Sequence, residues 1–438
     1  MNLFWKNLFG AIIPTSKLEK DEKELIEAMH RYDEVENSVE LVEYKNLFHV
    51  VKSSSFIENK KTLQNRKYKD TEEFRSFRKY SKLQNSAAIR LYFQVLNSVE
   101  LEQYLAFKAT PEFEELGDKA KVKQSEKLLR FKKFEHSKEF KTYSRFHNSF
   151  IITEFEQLKI KTSTPEFKKS NDFWSNPRRW QTTPEYATEQ RFYELANNKD
   201  IIFFTKEKPE RFENYRRLKL TFQEDFDWNT LDKSSWKFGF HYKSQGLMGN
   251  HSFANEQQAN NSGRNVSVED GILKISTKHE IIKAAAWHPT KGFIEKEFQY
   301  TSDVLQLAEK FRQNKGVFKA KIRTHGNINH AFWLGADHKL PQINIFHFDG
   351  KCIRVGNANK DLLDGIKIKG LNPRQFYIYS LRWTAKEMVW SINNLEVYRT
   401  SSNIPNETMY MVFNSFITQN QNPTAGLMEV DWVKTYQY

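Results

Sequence analysis

The chain has 438 residues, more than one ordinary domain holds, so two or three domains are expected. Hydrophobic residues make up 39% and charged residues 28%, and the single cysteine, Cys352, excludes an intramolecular disulfide and a zinc site built from several thiolates. Lys and Arg exceed Asp and Glu by 68 to 55, a net charge of +13, and no apolar run approaches the ~20 residues that cross a bilayer.

The N-terminal sequence, MNLFWKNLFGAIIPTSK, lacks the pattern of a secretory signal. Such a signal has a basic start and then an uninterrupted apolar stretch of about 7–15 residues. Here Lys6 and Asn7 break the apolar run, and Pro14 ends it. We interpret the segment as an amphipathic start, with a cryptic signal as the alternative. The expected localisation is the cytoplasm or an assembly reached without the general secretion pathway.

The first half is predicted to be helical, with a segment at 1–36 followed by a domain at 37–215. A recurring phrase runs through it: Ser or Thr, any residue, Glu, an apolar residue, then aromatic or apolar residues three apart. Ser or Thr caps free backbone N–H groups at a helix start, and Glu in the first turn meets the positive end of the helix dipole. The phrase starts 27 residues apart in two sets: Thr71, Ser98 and Ser125, then Thr110, Ser137 and Thr164.

Two short helices per 27 residues favour an irregular helical repeat array, and a plain bundle with similar caps is the alternative. The aromatic stripes are interpreted as core. This half shows no nucleophile, metal or phosphate-loop pattern, so it is expected to serve as a scaffold that connects to a protein partner. Its excess of basic residues suggests nucleic acid as a partner, but Glu is interleaved throughout, and we therefore do not expect nucleic acid binding.

The second half, residues 216–438, changes to short alternating segments separated by Gly, Asn, Asp and Pro. Segments this short and evenly spaced predict an antiparallel β-sandwich. Examples are GILKIST (271–277), GVFKAKIRTH (316–325), QINIFHF (342–348) and FYIYSLRW (376–383). The expected architecture is therefore a helical domain followed by an antiparallel sandwich.

Specific landmarks occur in this half in a recognisable order: LTFQEDFDW (220–228), NVSVEDGILKIST (265–277), HAFWLGADHKLPQINIFHFDGK (330–351) and MEVDWVKTYQY (428–438). In this order they resemble glycoside hydrolase family 16, in particular its laminarinase-like members. The resemblance covers about half of the chain and implies a concanavalin A-like jelly roll. It also implies secretion or the cell surface as the alternative localisation.

Members of that family carry Glu-x-Asp-x-x-Glu on one strand, with the first Glu as nucleophile and the last as general acid/base. Strand side chains alternate with period two, and one bulged residue lets position six rejoin the face of positions one and three. At the matching positions this sequence has Gln342, Asn344 and His347. An amide cannot ionise and is a very poor nucleophile, so the resemblance implies a pseudoenzyme whose three acids are replaced.

Amides and imidazole are good ligands for sugar hydroxyls, so Gln342, Asn344 and His347 are expected to form a converted binding site. The resemblance adds Trp333 as a residue on which sugar faces stack, with core packing as its alternative. Asn255 and Glu256 match a segment that contacts substrate. Trp287 lies in a predicted cleft wall or in an ordinary loop. Asp337 and Asp349 are acids that could replace the missing pair.

Some family members bind a structural calcium ion with an acid of the opening strand and an Asp near the C-terminus. Asp225 and Asp431 match those places, and ordinary surface acids are the alternative. The leading hypothesis is a catalytically degenerate relative that binds a β-glucan-like polysaccharide or serves as a structural or docking module. The alternative is a glycoside hydrolase with a rearranged acid pair.

Overall fold

The computed structural model describes residues 1–4, 10–228, 230–359 and 362–438. The chain divides into two compact units, one formed by Met1–Tyr32 with Lys208–Tyr438 and the other by Asp33–Glu207. These bounds differ from the predicted ones, which were a separate segment at 1–36 and a helical domain ending at 215. Part of the predicted amphipathic start, residues 5–9, lies outside the described residues.

Described residues near the N-terminus belong to the sandwich unit because they contribute to its core and to one sheet edge. Leu3 is fully buried and Ile12 is 5% exposed, both in the main sandwich core. Asn2 forms a parallel bridge with Lys369. The helix that follows carries Glu19, whose carboxylate accepts a hydrogen bond from Trp432 Nε1 at 2.8 Å. These contacts join positions more than 350 residues apart, so no local pattern in the sequence reveals them.

Within the described residues the α-helices, in order, are α1 (Thr15–Glu36), α2 (Val39–Val51), α3 (Ser54–Asn65), α4 (Glu72–Gln84), α5 (Ala87–Leu96), α6 (Val99–Lys108), α7 (Lys119–Gln124), α8 (Glu126–His136), α9 (Lys138–Phe146), α10 (Phe150–Ser163), α11 (Pro165–Ser175), α12 (Pro184–Ala196), α13 (Lys199–Lys206) and α14 (Glu213–Arg216). The helical prediction for the first half is confirmed. No helix in the described parts of the chain is long and apolar enough to span a membrane.

The recurring phrase marks helix starts, as its chemistry predicts. In α6 the backbone N–H of Leu101 donates to Ser98 Oγ at 3.2 Å. Equivalent bonds cap the helices after Thr71, Ser125, Ser137 and Thr164. Thr110 differs, because it precedes a 3₁₀ helix at 111–117 and its side chain makes no cap bond. Hydroxyl caps therefore set most of these boundaries.

The helices pair in a nested order that the 27-residue spacing does not predict. The first helices of the unit contact the last, and inner helices contact inner helices, so the chain runs out and folds back. Three stacked ring pairs mark this pairing: Tyr44 with Phe192, Tyr80 with Phe155 and Tyr92 with Tyr143, with centroids 5.6, 5.6 and 6.0 Å apart. In a repeat array each repeat packs against its neighbours in sequence. The aromatic residues are core, as predicted, but the core joins distant helices.

The strands are β1 (Lys219–Glu224), β2 (Lys237–Phe238), β3 (Phe240–Tyr242), β4 (Leu247–Gly249), β5 (Ser252–Phe253), β6 (Gln258–Asn260), β7 (Val266–Glu269), β8 (Ile272–His288), β9 (Gly292–Ser302), β10 (Val304–Gln306), β11 (Gly316–His325), β12 (Asn329–Gly335), β13 (Gln342–Phe348), β14 (Ile353–Asn359), β15 (Leu362–Ile368), β16 (Tyr377–Trp383), β17 (Met388–Ile392), β18 (Leu395–Thr400), β19 (Tyr410–Phe416) and β20 (Gly426–Gln437).

Within the described residues these strands form two large sheets and a small hairpin. One sheet has eleven strands, with the path β18-β17-β16-β11-β20-β8-β9-β6 and β1, β5 and β7 attached to it. The other has seven strands in the order β15-β14-β13-β12-β19-β10-β2. Apolar side chains from both sheets fill one core, among them Phe318 and Tyr379 of the first and Phe332 and Phe413 of the second. The antiparallel sandwich prediction is confirmed.

Candidate functional site

The strand β13 presents three polar side chains on the face of the seven-stranded sheet that is turned away from the sandwich core, here called the outer face. Ile343, Ile345, Phe346 and Phe348 all pack into the core. Because strand side chains alternate, Gln342, Asn344 and His347 point the other way. The three side chains therefore share one face of the strand, as predicted.

A β-bulge makes that arrangement possible. The pairing of β13 with β14 shifts register between Asn344 and His347, and the pairing with β12 shifts between Phe332 and Trp333. One extra residue is therefore accommodated in β13, so Ile345 and Phe346 both reach the core and His347 returns to the outer face. The predicted bulge is confirmed.

The amide pair on β13 is held by hydrogen bonds. Gln342 Nε2 donates to Asn344 Oδ1 at 2.7 Å. The backbone carbonyl of Asn344 accepts from Trp390 Nε1 of the opposite sheet at 2.9 Å. Asn344 itself is only 6% exposed. The buried indole thus fixes the strand at the centre of the candidate site.

His347 is half-buried and lies at the other end of the trio. Its Nε2 is 2.9 Å from Asn329 Oδ1, and its ring centroid is 5.6 Å from that of Phe416. Burial lowers the pKa of His347 to about 4; nearby Asp349 acts to raise it and Arg354 to lower it. The imidazole is therefore neutral at neutral pH.

Trp333 projects onto the outer face from β12, next to Asn344 in the ladder. It is 4% exposed and belongs to a second apolar cluster that includes Phe240, Tyr242 and Val412. Its Nε1 donates to Asn414 Oδ1 at 2.9 Å. This packing corresponds to the alternative role of a core residue, and it leaves little of the indole open for stacking.

Trp287 and Glu256 lie near the same second apolar cluster. Trp287 is half-buried against it and meets Phe293 with centroids 5.2 Å apart. Glu256 Oε2 accepts from Gln258 Nε2 at 2.8 Å, and burial raises the pKa of Glu256 to about 7. Asn255 is exposed. Glu256 is thus a carboxyl group that exchanges a proton near neutral pH.

The two alternative acids are engaged elsewhere. Asp337 Oδ1 accepts from Arg312 at 2.6 Å. Asp349 accepts from Arg354 Nε at 2.7 Å and from the backbone N–H of Cys352 at 2.8 Å. Burial acts to raise the pKa of Asp349, but these bonds prevail and hold it at about 2. Both groups are therefore anions tied to arginine.

The carboxylate groups of the two predicted calcium ligands each face a lysine side chain, which does not fit a calcium site. Asp431 Oδ2 is 2.8 Å from Lys321 Nζ, and Asp225 Oδ1 is 3.9 Å from Lys434 Nζ. A calcium ion takes six to eight oxygen ligands, whereas an ammonium group faces each of these carboxylates. Among the described residues no cluster of three or more His, Cys, Asp or Glu side chains could hold a metal ion. Calcium stays a prediction that this arrangement does not favour.

The structure adds three polar side chains to the candidate site: Asn329, Asn414 and Gln421. Asn329 of β12 contacts His347, Asn414 of β19 contacts Trp333, and Gln421, in the loop after β19, contacts Asn329. The phrase NHAFW carries one signal, because an Asn two residues before a buried Ala on the same strand shares the face of Trp333. Nothing in the local sequence indicates the other two.

The chain has measurable similarity to known proteins, although no protein-family model matches it. By sequence it is similar to the glucan endo-1,3-beta-glucosidase A1 of Niallia circulans, with 22% identity over 276 residues, which is 50% of this chain and 38% of that protein. The chain thus spans well under half the length of that relative.

Two solved structures extend the comparison. One is a laminarinase from Flavobacterium sp. UMI-01, 22% identical, covering 50% of this chain and 100% of that one with a TM-score of 0.40. The other is a non-specific endo-beta-1,3(4)-glucanase from family GH16, also 22% identical, covering 50% and 91% with a TM-score of 0.40. The C-terminal half resembles the family 16 laminarinases. The unit formed by Met1–Tyr32 with Lys208–Tyr438 is here called the laminarinase-like unit. It has Gln342, Asn344 and His347 on the outer face of β13.

Proposed function

We propose that the laminarinase-like unit is a catalytically degenerate glycan-binding module for a neutral, β-glucan-like polysaccharide. The observation that carries the proposal is the outer face of β13, where Gln342, Asn344 and His347 stand together and none is charged at neutral pH. Neutral groups that both donate and accept suit hydroxyl-rich ligands and carry no charge to desolvate.

Hydrolysis with retention needs two carboxyl groups about 5–5.5 Å apart, one as nucleophile and one as proton donor. An amide at Gln342 cannot form the covalent intermediate, and a neutral imidazole at His347 holds its only proton on one nitrogen. Asp337 and Asp349, the nearest substitutes in sequence, each contact an arginine. These contacts support binding over turnover.

The proposal is tested on a panel of soluble polysaccharides, with binding measured by retardation in affinity electrophoresis and turnover by release of reducing ends. The full chain is compared with the triple variant Gln342→Glu, Asn344→Asp, His347→Glu. We expect retardation without release for the natural chain and release by the variant. Release by the natural chain would overturn the proposal. Absence of both in every sample would leave a structural or docking role for the unit.

One observation favours hydrolysis as a second candidate. Glu256, with its pKa raised to about 7, remains partly protonated at neutral pH, as a general acid must. A rearranged pair would then need a second carboxylate as nucleophile. The variant Glu256→Gln separates the candidates, because it abolishes any release that depends on Glu256 as the acid, whereas an amide at this position keeps a hydrogen-bonding group for a bound sugar.

For the helical unit, we propose a scaffold that presents the laminarinase-like unit to a protein partner. It has stacked aromatic cores and capped helices. Its sequence shows no nucleophile, metal or phosphate-loop pattern. A pull-down uses the full chain as bait and is repeated with an excess of the isolated segment 33–207 as competitor. Loss of a captured partner in the presence of the competitor would show that this unit recruits it. The localisation in the cytoplasm or a non-Sec assembly, and secretion as its alternative, stay predictions.

A further inference from the structure

The position of one proton in the candidate site follows from a chain of hydrogen bonds that ends on a backbone amide. Gln421 Oε1 accepts from the backbone N–H of Thr418 at 2.9 Å. Its Nε2 donates to the backbone carbonyls of Asn327 at 3.2 Å and Asp349 at 3.4 Å. A backbone N–H can only donate and a carbonyl can only accept, so the amide of Gln421 has one permitted orientation.

That orientation determines the next group. Gln421 Oε1 lies 2.6 Å from the amide nitrogen of Asn329, which therefore donates to it. The other end of the Asn329 amide is then its oxygen, and this oxygen lies 2.9 Å from His347 Nε2. An amide oxygen only accepts, so His347 Nε2 must carry the proton. Asn329 is 4% exposed, which limits exchange of this bond for one with water.

We infer that Gln421 and Asn329 are positioning residues that hold His347 as its Nε2–H tautomer, so that Nδ1 offers a lone pair to a hydroxyl group of the ligand. The inference rests on the proposed glycan-binding function for the ligand and on the hydrogen bonds alone for the tautomer. No described residue donates to Nδ1, and Nδ1 is not one of the buried polar atoms sealed from solvent. Nδ1 of His347 therefore accepts a hydrogen bond from a hydroxyl group of the ligand and cannot donate one.

A complementary donor lies two strands away. Trp333 Nε1 can only donate, so its partner atom on Asn414 is the amide oxygen, and Asn414 Nδ2 remains as a donor. His347 and Asn414 both pair with Ala331 in the ladder, one from each side. Strands lie about 4.8 Å apart, which puts these two residues about 10 Å apart across a small side chain. This spacing suits a ligand that donates at one point and accepts at another.

The tautomer is tested on the free protein by long-range ¹H–¹⁵N correlation of the histidine rings in the full ¹⁵N-labelled chain at pH 7. The variant His347→Phe assigns the signal by its loss. We expect the pattern of a ring protonated at Nε2 only, and a mixture of both tautomers in Asn329→Ala. A ring protonated at Nδ1, or at both nitrogens, would overturn the inference whether or not the protein binds a glycan.

The role of Nδ1 is tested with a soluble β-1,3-glucan as the probe. His347→Phe keeps an aromatic ring beside Phe416 but removes the acceptor, and we expect a threefold to tenfold loss of affinity, roughly that of one net hydrogen bond. His279→Gln, at an exposed histidine of β8, is the matched control and should leave the affinity unchanged. Equal affinity in His347→Phe would overturn the role of Nδ1.

The pH profile separates this inference from the proposed function. Asp349 and Arg354 face His347 with opposing charges, and His330 lies near enough to interact electrostatically. In the variant Glu256→Gln, which removes the carboxyl group with a pKa of about 7, we expect glucan affinity to stay constant from pH 8 to about 5.5 and to fall as the His347 ring gains its second proton. If the Nε2–H tautomer is observed but no glucan binds at any pH, the hydroxyl contact and the proposed function are both wrong. The position of the proton on His347 would still be confirmed.

Discussion

The buried histidine His330 provides a sharp test of the sandwich unit, because its ionisation is coupled to folding. It is fully buried on β12, its Nε2 donates to the carbonyl of His325 at 3.1 Å, and its Nδ1 lies 2.8 Å from Ser415 Oγ. Burial lowers the pKa of His330 from 6.5 to about 3. The folded state therefore disfavours the charged ring that the unfolded chain accepts.

The sign and size of the effect follow from linkage. Above pH 6.5 the ring is neutral in both states, and stability is unaffected. As the pH falls below 6.5 the unfolded chain binds a proton that the folded chain does not, so stability is lost progressively toward about pH 3. With these pKa values, His330 alone removes about 2 kcal/mol from the free energy of unfolding between pH 7.5 and pH 5.

The assay is urea unfolding followed by tryptophan fluorescence at pH 7.5 and pH 5, for the natural chain and for His330→Gln. At pH 7.5 we expect the variant to be less stable by about 1–3 kcal/mol, because one buried hydrogen bond is lost. At pH 5 this gap should shrink by about 2 kcal/mol, since Gln has no proton to gain. The exposed His279→Gln is the control. A gap that stays constant with pH would refute the reasoning.

Three further predictions address other parts of the chain. Ser98→Ala should lower the stability of the helical unit by about 1 kcal/mol in a thermal melt, whereas Thr110→Ala, at a position without a cap bond, should cost less. Asp303 is fully buried and accepts hydrogen bonds from three backbone N–H groups. Asp303→Asn should therefore lower the free energy of unfolding by about 1–3 kcal/mol, measured by urea unfolding. Removal of divalent ions by a chelator should leave the melting temperature unchanged, because Asp431 is already paired with a lysine; a fall that Asp431→Asn abolishes would instead support calcium.

Local chemistry made much of the architecture predictable. A Ser or Thr followed by Glu and an apolar residue identifies a helix start from four consecutive residues, and Thr71, Ser98 and Ser125 all form the expected caps. The strand QINIFHF shows its two faces in its own alternation, with the bulge implied by the place of His347. The same reasoning could not show which helices pair, since Tyr44 and Phe192 have equally good apolar neighbours nearby.

The helical and sandwich halves and the shared face of Gln342 and Asn344 follow from the sequence, because caps and alternation act over a few residues, whereas the return of His347 to that face was implied by the family resemblance. The contribution of Leu3 and Ile12 to the sandwich core, the burial of Trp333 and the hydrogen bonds that join Gln421, Asn329 and His347 are visible in the three-dimensional structure alone. Those facts depend on hydrogen bonds and packing between strands and loops far apart in the chain. The energy of such contacts depends on which side chains meet in the folded protein, and the local sequence pattern does not specify these partners.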